Sequence, residues 1–135
     1  MNSKELLYKL GEINTENYIW CIYIGIILLS WYSNSLEKDY FLTKNGKSKD
    51  EYRRIIILIF SIVIVVYLYF VKDSFEGIKN LKMSDSIKKK ELTTLSFMGS
   101  LMIAISGFIF LYIAVLDDDI DVELAFNWLF LNNMV

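Results

Sequence analysis

The stretch IIILIFSIVIVVYLYFV, residues 55–71, decides the fold of this chain. It contains no charged side chain, and Arg54 and Lys72 flank it on either side. Fourteen of its seventeen residues are Ile, Leu, Val or Phe, which together favour insertion into a bilayer by about 4–8 kcal/mol. Because an isolated strand in lipid leaves its backbone groups unpaired, this β-branched run predicts a transmembrane helix.

Two further uncharged runs, residues 17–36 and 92–116, have similar lengths. A hydrocarbon core of about 30 Å needs about 20 helical residues to cross it, and all three runs suit that length. Hydrophobic residues make up 55% of the 135-residue chain, more than a small soluble domain can bury. The sequence therefore predicts an all-α membrane protein with three transmembrane helices in a single membrane domain, residues 1–135.

Short amphipathic helices are expected at both ends of the chain, over residues 3–11 and 120–133. In the first, Ser3 can cap the helix, three leucines share one face, and Gly11 can end it. The second follows an acidic run and is too short to cross a bilayer alone. The N-terminal helix is expected to lie along the membrane surface or against a neighbouring chain, and the C-terminal helix to lie in the interface or fold back against the other helices.

The segments between the predicted spans contain turn and capping signals. Residues 44–47, KNGK, predict a turn after the first span. Gly77 and Asn80 are expected to interrupt any helix after the second span. Ser84 or Asp85 could then cap a helix that continues into the third span.

A lysine triplet precedes the third span and has two interpretations. It could bind anionic lipid headgroups, or it could only anchor the helix and act as a topology signal. With the N-terminus in the cytoplasm, eight basic residues lie inside and six outside. That small excess favours a cytoplasmic N-terminus. We expect the membrane to be a bacterial inner membrane or another plasma membrane. The triplet consists of Lys88, Lys89 and Lys90.

Composition argues against several classes of function. The chain has no His, and Cys21 is its single cysteine, which excludes an intramolecular disulfide and argues against zinc or histidine-based catalysis. No catalytic motif occurs, and no ionisable side chain lies inside a span, whereas coupled transporters usually carry intramembrane acids or bases. The net charge is −2, so no field attracts nucleic acid. We expect neither an enzyme nor a bound cofactor or metal.

A stripe of small residues runs along the third span. Such a stripe lets two helix backbones approach closely, and its serines can form hydrogen bonds across the contact. It could form a seam between protomers, line a pore, or pack against another span of the same chain. The second span has no such stripe and is expected to face lipid. The stripe comprises Ser96, Gly99, Ser100, Ala104, Gly107 and Ala114.

An acidic run follows the third span. Its alternation resembles the start of a calcium loop, but an EF-hand counted from Asp117 needs Gly at 122 and Glu at 128, where this chain has Val122 and Trp128. The acids therefore indicate the end of one helix and the first turn of the next. In an oligomer they would form a negative rim that attracts cations. The rim comprises Asp117, Asp118, Asp119, Asp121 and Glu123.

These features favour a small homo-oligomeric membrane protein that forms or gates an ion-permeable pore. Membrane pores of this size include holins, toxins and defence effectors. Two alternatives fit the same sequence: a non-catalytic accessory or scaffolding subunit of a larger membrane complex, and a membrane immunity protein. The expected partners are the lipid bilayer and either further copies of the chain or another membrane subunit.

Overall fold

The protein folds into three long helices, as the three uncharged runs predict. The structure is a computed structural model that describes residues 1–117, and the predicted C-terminal helix over residues 120–133 lies outside them. The helices are α1 (Ser3–Thr43), α2 (Gly46–Lys79) and α3 (Ile87–Leu116), and no strand occurs in residues 1–117. Each helix is long and apolar enough to cross a membrane, which is compatible with a multi-pass membrane protein.

The N-terminal segment differs from the prediction of a separate short helix. Residues 3–11 are helical, but they form the first turns of α1, which continues through Gly11 without a break. A helical glycine costs about 1 kcal/mol, too little to end a helix of 41 residues. The cap is Asn2 rather than Ser3. Its side chain accepts a hydrogen bond from the Glu5 amide at 2.9 Å, and the Glu5 carboxylate accepts one from the Asn2 amide at 3.1 Å.

The connection between α1 and α2 confirms the turn predicted for residues 44–47. Lys44 adopts a left-handed conformation, with a φ of 55°, and its amide donates to the Tyr40 carbonyl at 2.7 Å. Asn45 then caps α2 by accepting a hydrogen bond from the Lys47 amide at 3.1 Å. Two residues are therefore enough to reverse the chain and place α2 beside α1.

The connection between α2 and α3 differs from the prediction in two details. α2 continues through Gly77 and ends at Lys79, so Asn80 marks the break and Gly77 does not. Ser86 caps α3, in place of Ser84 or Asp85, and its hydroxyl oxygen accepts from the Lys89 amide at 3.2 Å. From there α3 runs through the lysine triplet into the third uncharged run, as expected.

α2 is the central helix, which corrects the expectation that it faces lipid. It packs against both α1 and α3, whereas α1 and α3 do not pack against each other. Phe60 of α2 stacks on Phe110 of α3 with ring centroids 5.8 Å apart. Bulky side chains on two sides of α2 thus form helix interfaces. Hydrophobicity alone does not distinguish such an interface from a lipid-facing surface.

The three helices form a thin layer with little interior. Its buried apolar side chains are few, and large apolar residues such as Leu28, Val65 and Ile109 are exposed. Val65 is 68% exposed although it lies in the middle of the central helix. A layer of this kind needs lipid or other protein on its two faces, because water would leave that apolar surface hydrated.

Candidate functional site

The small-residue stripe of α3 divides into two parts. Ala104, Gly107 and Ala114 are buried. A Cβ atom at Gly107 would lie 3.1 Å from Cδ2 of Tyr67 and 3.2 Å from Cγ1 of Ile64, both in α2. Gly107 therefore allows a close approach between α3 and α2 within one chain.

The other part of the stripe is more open among residues 1–117. Ser96 and Gly99 are exposed, Ser100 is half-buried, and nothing lies within 4 Å of a Cβ built at Gly99. The Ser100 hydroxyl donates to the Ser96 carbonyl of its own helix at 2.9 Å. This part of the stripe is open to contact with another molecule, whereas the part around Gly107 already packs against α2.

A small cavity lies over α2, in the gap between α1 and α3. Its volume is about 170 Å³, and the residues around it include three with hydroxyl groups. These groups lie within the uncharged runs of their helices, where lipid offers no hydrogen-bond partner. The lining residues are Tyr23, Tyr67, Phe70, Ser100 and Ile103.

A larger cavity, of about 420 Å³, lies between α1 and α2 at the end opposite their tight turn. Three carboxylates border it: Glu12 from α1, and Asp73 and Glu76 from α2. Tyr8, Thr15, Tyr69 and Lys72 also line it. We refer to it as the acidic cavity.

Like charges dominate the acidic cavity. Burial raises the pKa of Asp73, and Glu12, Glu76 and Glu16 raise it further by repulsion. The Tyr8 hydroxyl is hydrogen-bonded to Glu12, and this bond raises the pKa of Tyr8. Lys72 offers only weak compensation, since its ammonium lies 3.9 Å from the Glu76 carboxylate on the exposed surface.

The first turns of α1 place polar residues against α2 and apolar residues outward. Glu12 and Thr15 are half-buried, whereas Leu6, Leu10 and Ile13 are exposed. This is the reverse of a helix on a soluble protein. It indicates that lipid or protein covers the outer side of these turns.

The sequence did not point to the acidic cavity, although one signal was present. Tyr8, Glu12, Thr15 and Ile19 follow one another at spacings of four, three and four, which places them on one face of a helix. The last of them is buried. These four residues thus extend the α2-facing side of α1 into its polar N-terminal segment.

Two of the three lysines of the triplet bond to the segment that connects α2 with α3. The Lys89 ammonium donates to the Asp85 carboxylate at 2.8 Å, and that of Lys90 donates to the Met83 carbonyl at 3.0 Å. Both contacts fasten the start of α3. Lys88 is exposed.

Of the predicted acidic rim, the structure describes Asp117 alone. It follows the last residue of α3, and its amide donates to the Ile113 carbonyl at 2.8 Å. The position agrees with the prediction that the acids mark the end of the third helix. The other members lie outside the described residues: Asp118, Asp119, Asp121 and Glu123.

Within residues 1–117, no group of three or more His, Cys, Asp or Glu side chains is arranged to hold a metal ion. Cys21 is exposed on α1. Comparison with known protein families, characterised proteins and solved structures finds no match.

Proposed function

We propose that the chain self-associates in a lipid bilayer and forms or gates a path for ions. The observation that carries this proposal is the small cavity where Tyr23, Tyr67 and Ser100 bring hydroxyl groups from three helices together. The Ser100 hydroxyl already donates to the Ser96 carbonyl, whereas the two tyrosine hydroxyls are costly in an apolar surrounding unless they find a partner. Copies arranged with this cavity toward a common axis would give the hydroxyls water to bind.

The thinness of the layer supports self-association. One chain has two open faces and no fourth helix, among its described residues, to cover the cavity. Ser96 and Gly99 offer a place where a helix of a second copy can approach the α3 backbone closely. Self-association would therefore cover apolar surface and enclose the hydroxyl groups in one step.

Carboxylates occur near both ends of the layer, although residues 1–16 and 72–91, at the end with the acidic cavity, contain eight lysines beside seven carboxylates. The acidic cavity holds Glu12, Asp73 and Glu76 at one end. Asp117 follows the last residue of α3, at the other end. Carboxylates at the mouths of a path raise the local cation concentration and repel anions.

Recording from the purified chain in planar bilayers tests this proposal. We expect cation-selective currents, and a lower unitary conductance for the double variant Tyr23→Phe/Tyr67→Phe, because it removes two hydroxyls from the cavity. The matched control is Tyr18→Phe/Tyr112→Phe, which removes two hydroxyls from exposed tyrosines away from it. Silent bilayers under all conditions would contradict the proposal.

A second candidate, an accessory subunit or an immunity protein, is supported by the same open layer, since another membrane protein could cover its two apolar faces. Mass spectrometry of the solubilised native assembly distinguishes the two. A uniform homo-oligomer supports the pore, whereas one copy bound to a different protein supports the second candidate. We further propose a bacterial inner or other plasma membrane with a cytoplasmic N-terminus, which labelling of single cysteines in intact cells would test.

A further inference from the structure

We propose that a cavity between the first turns of α1 and the start of α3 binds the phosphate of an anionic lipid headgroup. Its volume is about 780 Å³, and lysines from two helices line it, Lys4 and Lys9 of α1 and Lys89 of α3. Asn80 of the connecting segment and Tyr8 add polar groups, and the Glu5 carboxylate also lines it. We call it the lysine cavity. The proposal goes beyond ion permeation, because it holds whether or not any ion crosses.

The surroundings of the lysine cavity carry a local excess of positive charge. Residues 1–9 and 79–91 together contain seven lysines and three carboxylates, whereas the whole chain has a net charge of −2. Two of the three carboxylates already accept hydrogen bonds nearby. Glu5 accepts from the Asn2 amide at 3.1 Å, and Asp85 accepts from the Lys82 amide at 2.8 Å and from the Lys89 ammonium at 2.8 Å.

The lysines differ in how far they are already engaged. Lys89 is held in place by Asp85, and the two hydrogen bonds that Asp85 accepts from Lys82 and Lys89 lower its pKa. In the part of the chain that the structure describes, Lys4 and Lys9 form no ion pair. They are therefore free to turn toward a phosphate, which an ammonium group binds as a point charge.

The depth of the lysine cavity favours a lipid over a soluble phosphate. Lys89 lies three residues before Leu92, the first residue of the third uncharged run, which corresponds to about 4.5 Å along a helix. The headgroup layer extends about 5–8 Å beyond the hydrocarbon core, so Lys89 stands at its depth. Lys4 and Lys9 lie farther along the chain from their own uncharged run and reach Lys89 through the cavity that the three lysines share.

The apolar residues beside the lysine cavity point to the same ligand. Leu6 and Leu10 lie in the same first turns of α1 as Lys4 and Lys9, outside the lining of the lysine cavity itself, and both are exposed. They offer apolar surface to the glycerol and upper acyl chain of a lipid. A free phosphate would make no use of them.

The test measures how tightly the full chain in mixed micelles retains a short-chain phosphatidylglycerol, with phosphatidylcholine as the neutral comparison. We expect Lys4→Gln/Lys9→Gln to weaken phosphatidylglycerol retention by at least about tenfold, since each lysine near an anionic lipid contributes about fivefold. The matched control, Lys44→Gln/Lys47→Gln, removes two lysines at the opposite end and should change retention less than twofold. Lys4→Arg/Lys9→Arg should retain the lipid.

Three results would overturn the proposal. Equal weakening by the two glutamine pairs would reduce the effect to general charge attraction. Equal retention of phosphatidylcholine would remove the requirement for an anionic headgroup. Displacement of the lipid by inorganic phosphate at equal concentration would assign the lysine cavity to a soluble anion. None of these readouts depends on current through a bilayer, so the two proposals fail independently.

Discussion

The interface between α1 and α2 has two ends that are built in opposite ways. Next to the tight turn, hydroxyl donors meet carboxylate acceptors: the Ser48 hydroxyl donates to the Asp39 carboxylate, and the Tyr32 hydroxyl donates to Glu51 at 2.7 Å. Ser33 is only 1% exposed there. At the far end, three carboxylates border the acidic cavity of about 420 Å³.

The contrast shows that the same two helices can be held firmly at one end and loosely at the other. Paired donors and acceptors stabilise a contact, whereas like charges weaken it. The tight turn adds to this difference in stability between the two ends. Its two residues link α1 and α2 covalently at the near end, independently of the contacts at the far end. We expect the near end to set the stability of the hairpin and the far end to respond to solution conditions.

The largest expected effect comes from overpacking the end of the α1–α2 interface next to the tight turn, which we call the closed end. Ser33→Leu places a large side chain where almost no space is open, and overpacking of this kind costs about 1–3 kcal/mol. The measurement is the free energy of unfolding in mixed micelles, followed by circular dichroism. Ser35→Leu is the matched control, since Ser35 lies on the same helix and is exposed. Equal losses in both variants would show that the closed end is not tightly packed.

A smaller loss is expected from Ser48→Ala, which removes the donor to Asp39 from a side chain that is 7% exposed. A hydrogen bond to a charged group contributes about 1.5–3 kcal/mol. Because Asp39 is half-buried and can bind water once the hydroxyl is removed, we expect a loss near the lower limit of that range. The same unfolding measurement applies, with Ser35→Ala as the control. An unchanged stability would mean that Ser48 and Asp39 do not help to close the hairpin.

The smallest effect is expected at the acidic cavity and depends on pH. Because the folded-state pKa of Asp73 is raised, its contribution is most favourable below the ordinary pKa of an aspartate and is lost as the pH rises through the raised value. Lowering the pH from 7 to 4 should therefore shorten the distance between spin labels at positions 9 and 79, in a Cys21→Ser background. Asp73→Asn should reduce this change in distance, because it removes one of the repelling charges. The effect is small, since a pair of like charges on neighbouring helix turns costs only about 0.2–0.5 kcal/mol.

The control for that experiment is a second pair of labels at the closed end, at positions 38 and 49. Their distance should stay constant between pH 4 and 7, because hydroxyl–carboxylate pairs and the tight turn hold that end. A change of similar size at both ends would show that the whole hairpin responds and that the acidic cavity is not its cause.

Hydropathy predicted the helices but not their arrangement. The uncharged runs, the turn at residues 44–47 and the end of α3 at Leu116 each depend on a few neighbouring residues. The central place of α2 does not, because a helix that is bulky on all sides can pack against two helices or against lipid with the same composition. Gly11 and Gly77 were wrongly expected to interrupt helices, since a local propensity of about 1 kcal/mol yields to the many bonds of a long helix.

The sites show the same limit. Local spacing identified the small-residue stripe, yet only the structure shows that Gly107 meets Tyr67 and Ile64 while Gly99 stays open. The acidic cavity joins Glu12 and Asp73, which are far apart in the sequence. Charges that become neighbours only through an antiparallel helix pair cannot be identified from either segment alone.

The two-residue turn between α1 and α2 also bears on how the chain would be inserted during synthesis. With only two residues between them, the two helices cannot separate far from each other, so they would enter a bilayer together as a hairpin. The hydrogen bonds of Ser48 and Tyr32 would form before α3 is made, since all their partners lie between residues 32 and 51. α3 would then dock on a pair that is already assembled, with Gly107 admitting it against Tyr67. The order of the helices in the layer thus matches the order of their synthesis.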